Sequence, residues 1–138
     1  MTNFEILRQR MVDSQIRVND VTDHRVIKAF AETPRELFVP SGQKPFAYGD
    51  RDIPISTGDT GERYLLSPMV QAKIIQALQI DASSVVLHVG CGSGYSTAIL
   101  AQLASSVVAV EEEESLVSVA EANLQTLGFD NAAILHGD

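Results

Sequence analysis

Three glycines at alternate positions, Gly90, Gly92 and Gly94, follow directly on an apolar run, Val85-Val86-Leu87-His88-Val89. Residues without a Cβ let the backbone turn sharply and let a ligand approach it closely. Cys91 and Ser93 fill the intervening places, and after Tyr95 comes a helix-forming run from Ser96 to Ala104. Strand, tight turn and helix in this order form the frame in which nucleotides bind, and a purely structural glycine turn is the plainer alternative. Glu111, 21 positions after Gly90, closes the next apolar run. A carboxylate there accepts hydrogen bonds from both hydroxyls of a ribose. The following glutamates, Glu112, Glu113 and Glu114, open a helix, where they favour its dipole and are expected to face water.

Which nucleotide the turn serves is narrowed by what is missing. The dinucleotide fingerprint needs glycine where Tyr95 stands, and a P-loop needs Gly-Lys-Ser/Thr, with no lysine nearby. The net charge is −8, unevenly placed: residues 1–73 hold all ten Lys and Arg with ten acids, and residues 74–138 hold eight acids and no base. A base-free half argues against nucleic acid, whose phosphates need Lys or Arg, and disfavours a phosphate-rich cofactor. A nucleoside without a pyrophosphate remains.

The elements that position these residues follow from periodicity. Phe4, Leu7 and Met11 predict a helix to about Val18, and Thr22 or Asp23 caps a second one that buries Val26, Ile27 and Phe30 before Pro34 ends it. Ser41 to Gly61 is rich in Gly, Pro, Asp and Ser and reads as irregular, with one short strand. Ser67 as N-cap and Pro68 as first residue open a third helix, with Val70, Ile74, Ala77 and Leu78 as its apolar stripe. Strands follow at Val85–Val89, Val107–Val110 and Ala132–Leu135. The helix between the last two presents Leu116, Val119, Ala120, Leu124 and Leu127, and Gly128 closes it. Alternating strands and helices predict parallel βαβ units with the ligand at the strands' C-terminal ends. The first of these strands is apolar throughout and suits a central place, yet has neighbours on one side only. The expectation is a piece of a longer chain, or an association that completes the sheet.

With 138 residues, 45% hydrophobic and 20% charged, the chain has the makings of one globular domain. No apolar run approaches the roughly 20 residues of a membrane span, and no basic-then-apolar leader opens the sequence. One cysteine makes no internal disulfide, and with three scattered histidines gives no zinc pattern. No metal is expected, and a cytoplasmic location is the default.

The glycine turn with Glu111 resembles motif I and its following acid in class I S-adenosylmethionine-dependent methyltransferases. Upstream, Pro34-Arg35-Glu36-Leu37-Phe38-Val39-Pro40, Ala47-Tyr48-Gly49-Asp50-Arg51 and Ile53-Pro54-Ile55 resemble the protein-L-isoaspartate O-methyltransferases, as does the closing Gly137-Asp138. The resemblance covers about Met11 to Asp138. It implies an α/β fold, a Rossmann-like doubly wound sheet of the class I methyltransferase type with only its first three strands present, preceded by a helical N-terminal part. Residues 1–66 would form the substrate side and residues 67–138 the first half of the cofactor-binding domain. By the same resemblance, S-adenosylmethionine lies over Gly90, Cys91, Gly92, Ser93 and Gly94. Its ribose falls on Glu111 and its adenine near Asp138, and a methyl group passes to an abnormal aspartyl carboxylate in damaged protein.

Two positions depart from that family. His88 stands where motif I carries an acid that holds the methionine end, and a histidine supplies no fixed negative charge. A buried histidine satisfied by backbone is the plainer role. Leu66 stands where the family's substrate-binding serine belongs, and Ser67, one place later, is a weak substitute better suited to capping. Tyr48 and Asp50 are candidates for the acceptor pocket, and Cys91 is expected to be merely small. A methyltransferase with a different acceptor, or a homologue that has lost catalysis, are the alternatives.

Overall fold

The structure, a computed structural model, describes residues 2–56 and 61–138. Helix α1 (Asn3–Met11) starts at Thr2, whose hydroxyl accepts from Glu5 N while the Glu5 carboxylate accepts from Thr2 N. The predicted helix to Val18 is not one α-helix: a π-helical stretch (Val12–Ile16) and a 3₁₀ turn (Arg17–Asn19) continue it. Asp23 caps α2 (His24–Glu32) by accepting from Arg25 N. Val26, Ile27, Ala29 and Phe30 of α2 are buried.

Two 3₁₀ turns, Arg35–Phe38 and Ser41–Phe46, occupy the proline-rich stretch. The irregular segment then holds a strand pair where one strand was expected: β1 (Ile53–Ser56) runs antiparallel to β2 (Arg63–Leu65). Three residues are too short for alternation to reveal β2. The part of the segment at 57–60 lies outside the described residues.

Helix α3 (Pro68–Ala77) has its proline at the first turn, but Ser67 makes no side-chain cap bond. Its predicted stripe faces outward. Val70, Ile74, Ala77 and Leu78 are exposed, while Pro68, Gln71, Ala72 and Ile75 are buried. Apolar residues on both flanks leave the periodicity undecided, and Gln71 is drawn inward by Arg35 and Ser96.

Strands β3 (Val85–Val89), β4 (Ser106–Glu111) and β5 (Ala132–His136) form a parallel sheet in the order β3-β4-β5. Helices α4 (Tyr95–Leu103) and α5 (Glu114–Leu127) connect them, and α4 packs on α2. One face carries the buried Val107, Ala109 and Ile134. The opposite face, with Leu87 paired to Val108 and Val110 to Leu135, is largely open. Val85, Leu87 and Val89 are 75%, 67% and 69% exposed, so β3 is an edge strand and β4 is central. On α5, Leu116, Val117, Ala120 and Leu124 are buried while Val119 is exposed, a small rotation from the expected face. Gly128, at φ 78°, ends α5 as foreseen. Residues from both sides of position 66, among them Met11, Phe30, Phe38, Tyr95 and Ile99, share one core.

Candidate cofactor site

The turn between β3 and α4 is tied to β4 by backbone: Gly90 N and Cys91 N both donate to Val110 O, at 2.7 and 3.2 Å. Its three glycines have different physical duties. A Cβ on Gly90 would meet only the Arg63 guanidinium, 3.9 Å away, so this position borders open space. At Gly92 (φ 59°) a Cβ would lie 2.9 Å from Ile55 Cδ1 of β1. At Gly94 (φ 96°) it would lie 3.1 Å from Ala120 Cβ and 3.2 Å from Ala120 Cα. Gly94 therefore serves the contact of α4 with α5, not the approach of a ligand.

A cavity of about 310 Å³ opens at the C-terminal ends of the strands. Val89, Gly90 and Val110 form its floor, and Arg63, Glu112, Gly137 and Asp138 line the rest. Glu111 lies beside it, at the end of β4. Its side chain is fully covered and its carboxylate is saturated. Oε1 accepts from Gly92 N at 2.8 Å and from Arg63 Nη2 at 2.6 Å, and Oε2 accepts from Glu113 N at 2.8 Å and from Arg63 Nη1 at 2.7 Å. Burial works against ionisation, but the Arg63 bonds and the Glu113 and Gly92 N–H groups outweigh it and hold the carboxyl below its ordinary range.

Arg63 corrects the charge reading. The half of the chain that holds the turn carries no base in sequence, yet β2 brings one onto it from 48 positions away. Glu113 corrects it again. It is buried, accepts from the Ser115 hydroxyl at 3.0 Å, and also takes a hydrogen bond from the Ser56 hydroxyl of β1. Glu112 and Glu114 are exposed, as expected.

The other candidates fall into separate places. His88 faces α4, where Nδ1 meets Thr97 Oγ1 at 3.0 Å, so a side chain rather than backbone satisfies it. Burial lowers its pKa. Cys91 is buried, its thiol pushed up to about 11 chiefly by desolvation, which suits an inert small residue. Ser93 is buried, and its carbonyl accepts from Asn123 Nδ2. Asp138 is exposed at the cavity rim.

In the N-terminal part, Tyr48 is buried in a closed network. Its hydroxyl donates to Glu36 Oε2 at 2.5 Å and accepts from Arg8 Nε at 2.9 Å and Arg35 N at 3.0 Å. Burial and the Glu36 bond raise its pKa. Asp50 is exposed in the adjoining turn. Leu66 is 41% exposed, and Ser67 is buried with its N–H on Asp52 Oδ1 at 2.8 Å.

Sequence reasoning missed Arg35. It is wholly buried, donates to Ala47 O at 2.6 Å, Gln71 Oε1 at 2.8 Å and Leu66 O at 2.8 Å, and lies 4.8 Å from the Tyr95 ring centre. It thereby fixes the backbone at Leu66. The Pro-Arg-Glu-Leu-Phe stretch was the signal, but nothing local said that its arginine is internal.

A parallel sheet with a glycine turn and an acid at the end of the adjacent strand defines the nucleoside-binding half of a class I methyltransferase fold. The sequence profile of the protein-L-isoaspartate(D-aspartate) O-methyltransferase family matches residues 7–138, and the chain belongs to that family. It is 38% identical over 138 residues to a protein-L-isoaspartate O-methyltransferase of Koribacter versatilis, covering 100% of this chain and 60% of the relative. It is 40% identical over 131 residues to that of Roseiflexus castenholzii, covering 95% and 58%. A solved protein-L-isoaspartate O-methyltransferase superposes with a TM-score of 0.84 at 26% identity, over 95% of this chain and 42% of that one. A chain from Plasmodium falciparum assigned to the same activity, in complex with S-adenosyl-L-homocysteine, shares the fold with a TM-score of 0.74 at 21% identity, over 99% and 64%. The chain thus spans about 60% of the length of the relatives it matches.

Proposed function

We propose that the whole protein transfers a methyl group from S-adenosylmethionine to an abnormal aspartyl carboxylate in damaged protein. The observation that carries this reading is the Glu111 carboxylate, set beside the Gly90 floor at the C-terminal ends of β3 and β4. The cavity has room for a nucleoside above Gly90, and Glu111, covered by Arg63, can turn two oxygens to a ribose diol once that guanidinium leaves. On this reading Asp138, which lines the cavity, accepts from the adenine amino group.

When bound, the cofactor supplies a methyl group on a positively charged sulfur. Gly90, Glu111 and Asp138 would hold it, and its methyl group would pass to an acceptor carboxylate oxygen, the S–C bonding pair leaving with sulfur. Opposite charges cancel and no proton moves, so the residues here need only orient the partners and keep water out. Arg35 does the first indirectly, by holding Leu66 O. The Leu66 side chain itself cannot hydrogen-bond a carboxylate. We assign residues 1–66 to the acceptor side. Among the described residues no helix is long and apolar enough to cross a membrane, and we propose the cytoplasm as the location. The open sheet face and the free edge of β3 are where further elements of the whole protein, or a partner, would pack.

The test is transfer of a tritiated methyl group by the whole protein to an isoaspartyl peptide and to its aspartyl counterpart. Labelling of the isoaspartyl peptide alone is expected, and Leu66→Ser is expected to raise it. Cofactor binding without labelling, in both forms, would overturn the acceptor assignment.

A further inference from the structure

We infer that Arg63 competes with the cofactor's ribose for Glu111, which makes Arg63 a determinant of cofactor affinity. This rests on the reading of Glu111 as the ribose acceptor.

An ionised carboxylate has about four acceptor positions. On Glu111 the backbone takes two, through Gly92 N and Glu113 N, and the Arg63 fork takes the other two. The backbone bonds belong to the turn and to the start of α5, and cannot yield without unmaking the site. A ribose diol needs one position on each oxygen, and these are the positions that Arg63 holds. Arg63 must therefore leave when a ribose arrives.

The hairpin is built to allow this. Its base is clamped: Ile53 and Leu65, which pair with each other, are buried, and Ser67 N bonds Asp52. Arg35 holds the next residue, Leu66, through its carbonyl. Further out, among the described residues, Arg63 lies on Glu111, Ile55 against Gly92, and the Ser56 hydroxyl on Glu113. Its register is irregular between Pro54 and Ser56, which weakens the outer ladder. Because the form with Arg63 on Glu111 cannot bind, apparent affinity falls by the fraction of molecules in which Arg63 has left.

The test uses the whole protein and S-adenosylhomocysteine, titrated by calorimetry, with amide hydrogen exchange read in the same samples. Arg63→Ala is expected to tighten binding roughly tenfold, and Arg63→Lys, which keeps the charge but loses the fork, by less. Without ligand, Arg63→Ala speeds exchange at Arg63–Leu65; with ligand, the unaltered protein shows the same speeding while Gly92 and Glu113 become protected. Equal or weaker binding by Arg63→Ala, with the cofactor bound normally by the unaltered protein, overturns the competition alone. No binding by either form overturns the cofactor reading and the competition together.

Discussion

One added methyl group at Gly94 measures how tightly the turn is built against α5. In Gly94→Ala the new carbon would lie 3.1 Å from Ala120 Cβ and 3.2 Å from Ala120 Cα, and Ala120 is wholly buried within a helix. Backbone cannot step aside as a side-chain tip can, so overpacking costs about 1–3 kcal/mol. The φ of 96° adds a left-handed penalty of about 1–2 kcal/mol for any residue with a Cβ. The sum, about 2–5 kcal/mol, is a large share of the roughly 5–15 kcal/mol that holds a domain together. With a urea slope of about 2 kcal/mol per molar, the unfolding midpoint should fall by about 1–2.5 M. Ala120→Gly, costing about 1 kcal/mol alone through helix propensity, removes the 3.1 Å contact and should return about 1–2 kcal/mol in the double variant. The dihedral part should remain. A midpoint for Gly94→Ala within about 0.3 M of the unaltered protein, or no coupling to Ala120, would refute the packing role of this glycine.

Gly92→Val should destabilise by about 1–2 kcal/mol through its φ of 59°, and should push the hairpin aside at Ile55 Cδ1. Ile55→Ala should relieve the steric part, as read by thermal unfolding and hydrogen exchange. Arg35→Lys should cost about 2–4 kcal/mol in urea unfolding, because one ammonium cannot reproduce the bonds to Ala47 O, Gln71 and Leu66 O; a cost below about 1 kcal/mol would mean that the fork is dispensable. Two groups beside the glycine turn contribute to the acid response. Glu111, held below 4.5, contributes stability above that value and loses it as pH falls through the lower folded one. His88, held below 6.5, binds its proton first in the unfolded chain, so its contribution is complete above about 6.5 and declines as pH falls below it. His88→Gln should flatten the stability profile just below about pH 6.5, and an unchanged slope there would contradict the burial of this ring.

What the sequence made legible is what neighbouring residues decide. Val85 to Tyr95 reads as strand, turn and helix because five apolar residues and three glycines are contiguous, and Glu111 follows at the end of the next strand. The outward turn of Val70 and Ile74 was not legible, because α3 is apolar on two sides and Arg35, 36 positions before Gln71, selects the inner one. Glu113 looked like one of a solvated run until β1 brought Ser56 to it from 57 positions away. Arg63 sits in a three-residue strand with no pattern of its own, and its meaning appears only when it lies on Glu111. The glycines shared one motif but not one duty: Gly90 faces the cavity, and Gly94 faces Ala120.

The central claim is that Glu111 and the floor at Gly90 hold the nucleoside of S-adenosylmethionine. A crystal structure of the whole protein grown with S-adenosylhomocysteine tests it most directly. The expected result is a ribose with both hydroxyls on the Glu111 carboxylate, its base toward Asp138, and Arg63 withdrawn from the positions it holds at 2.6 and 2.7 Å. A nucleoside bound elsewhere, with the Arg63–Glu111 pair intact, would contradict it.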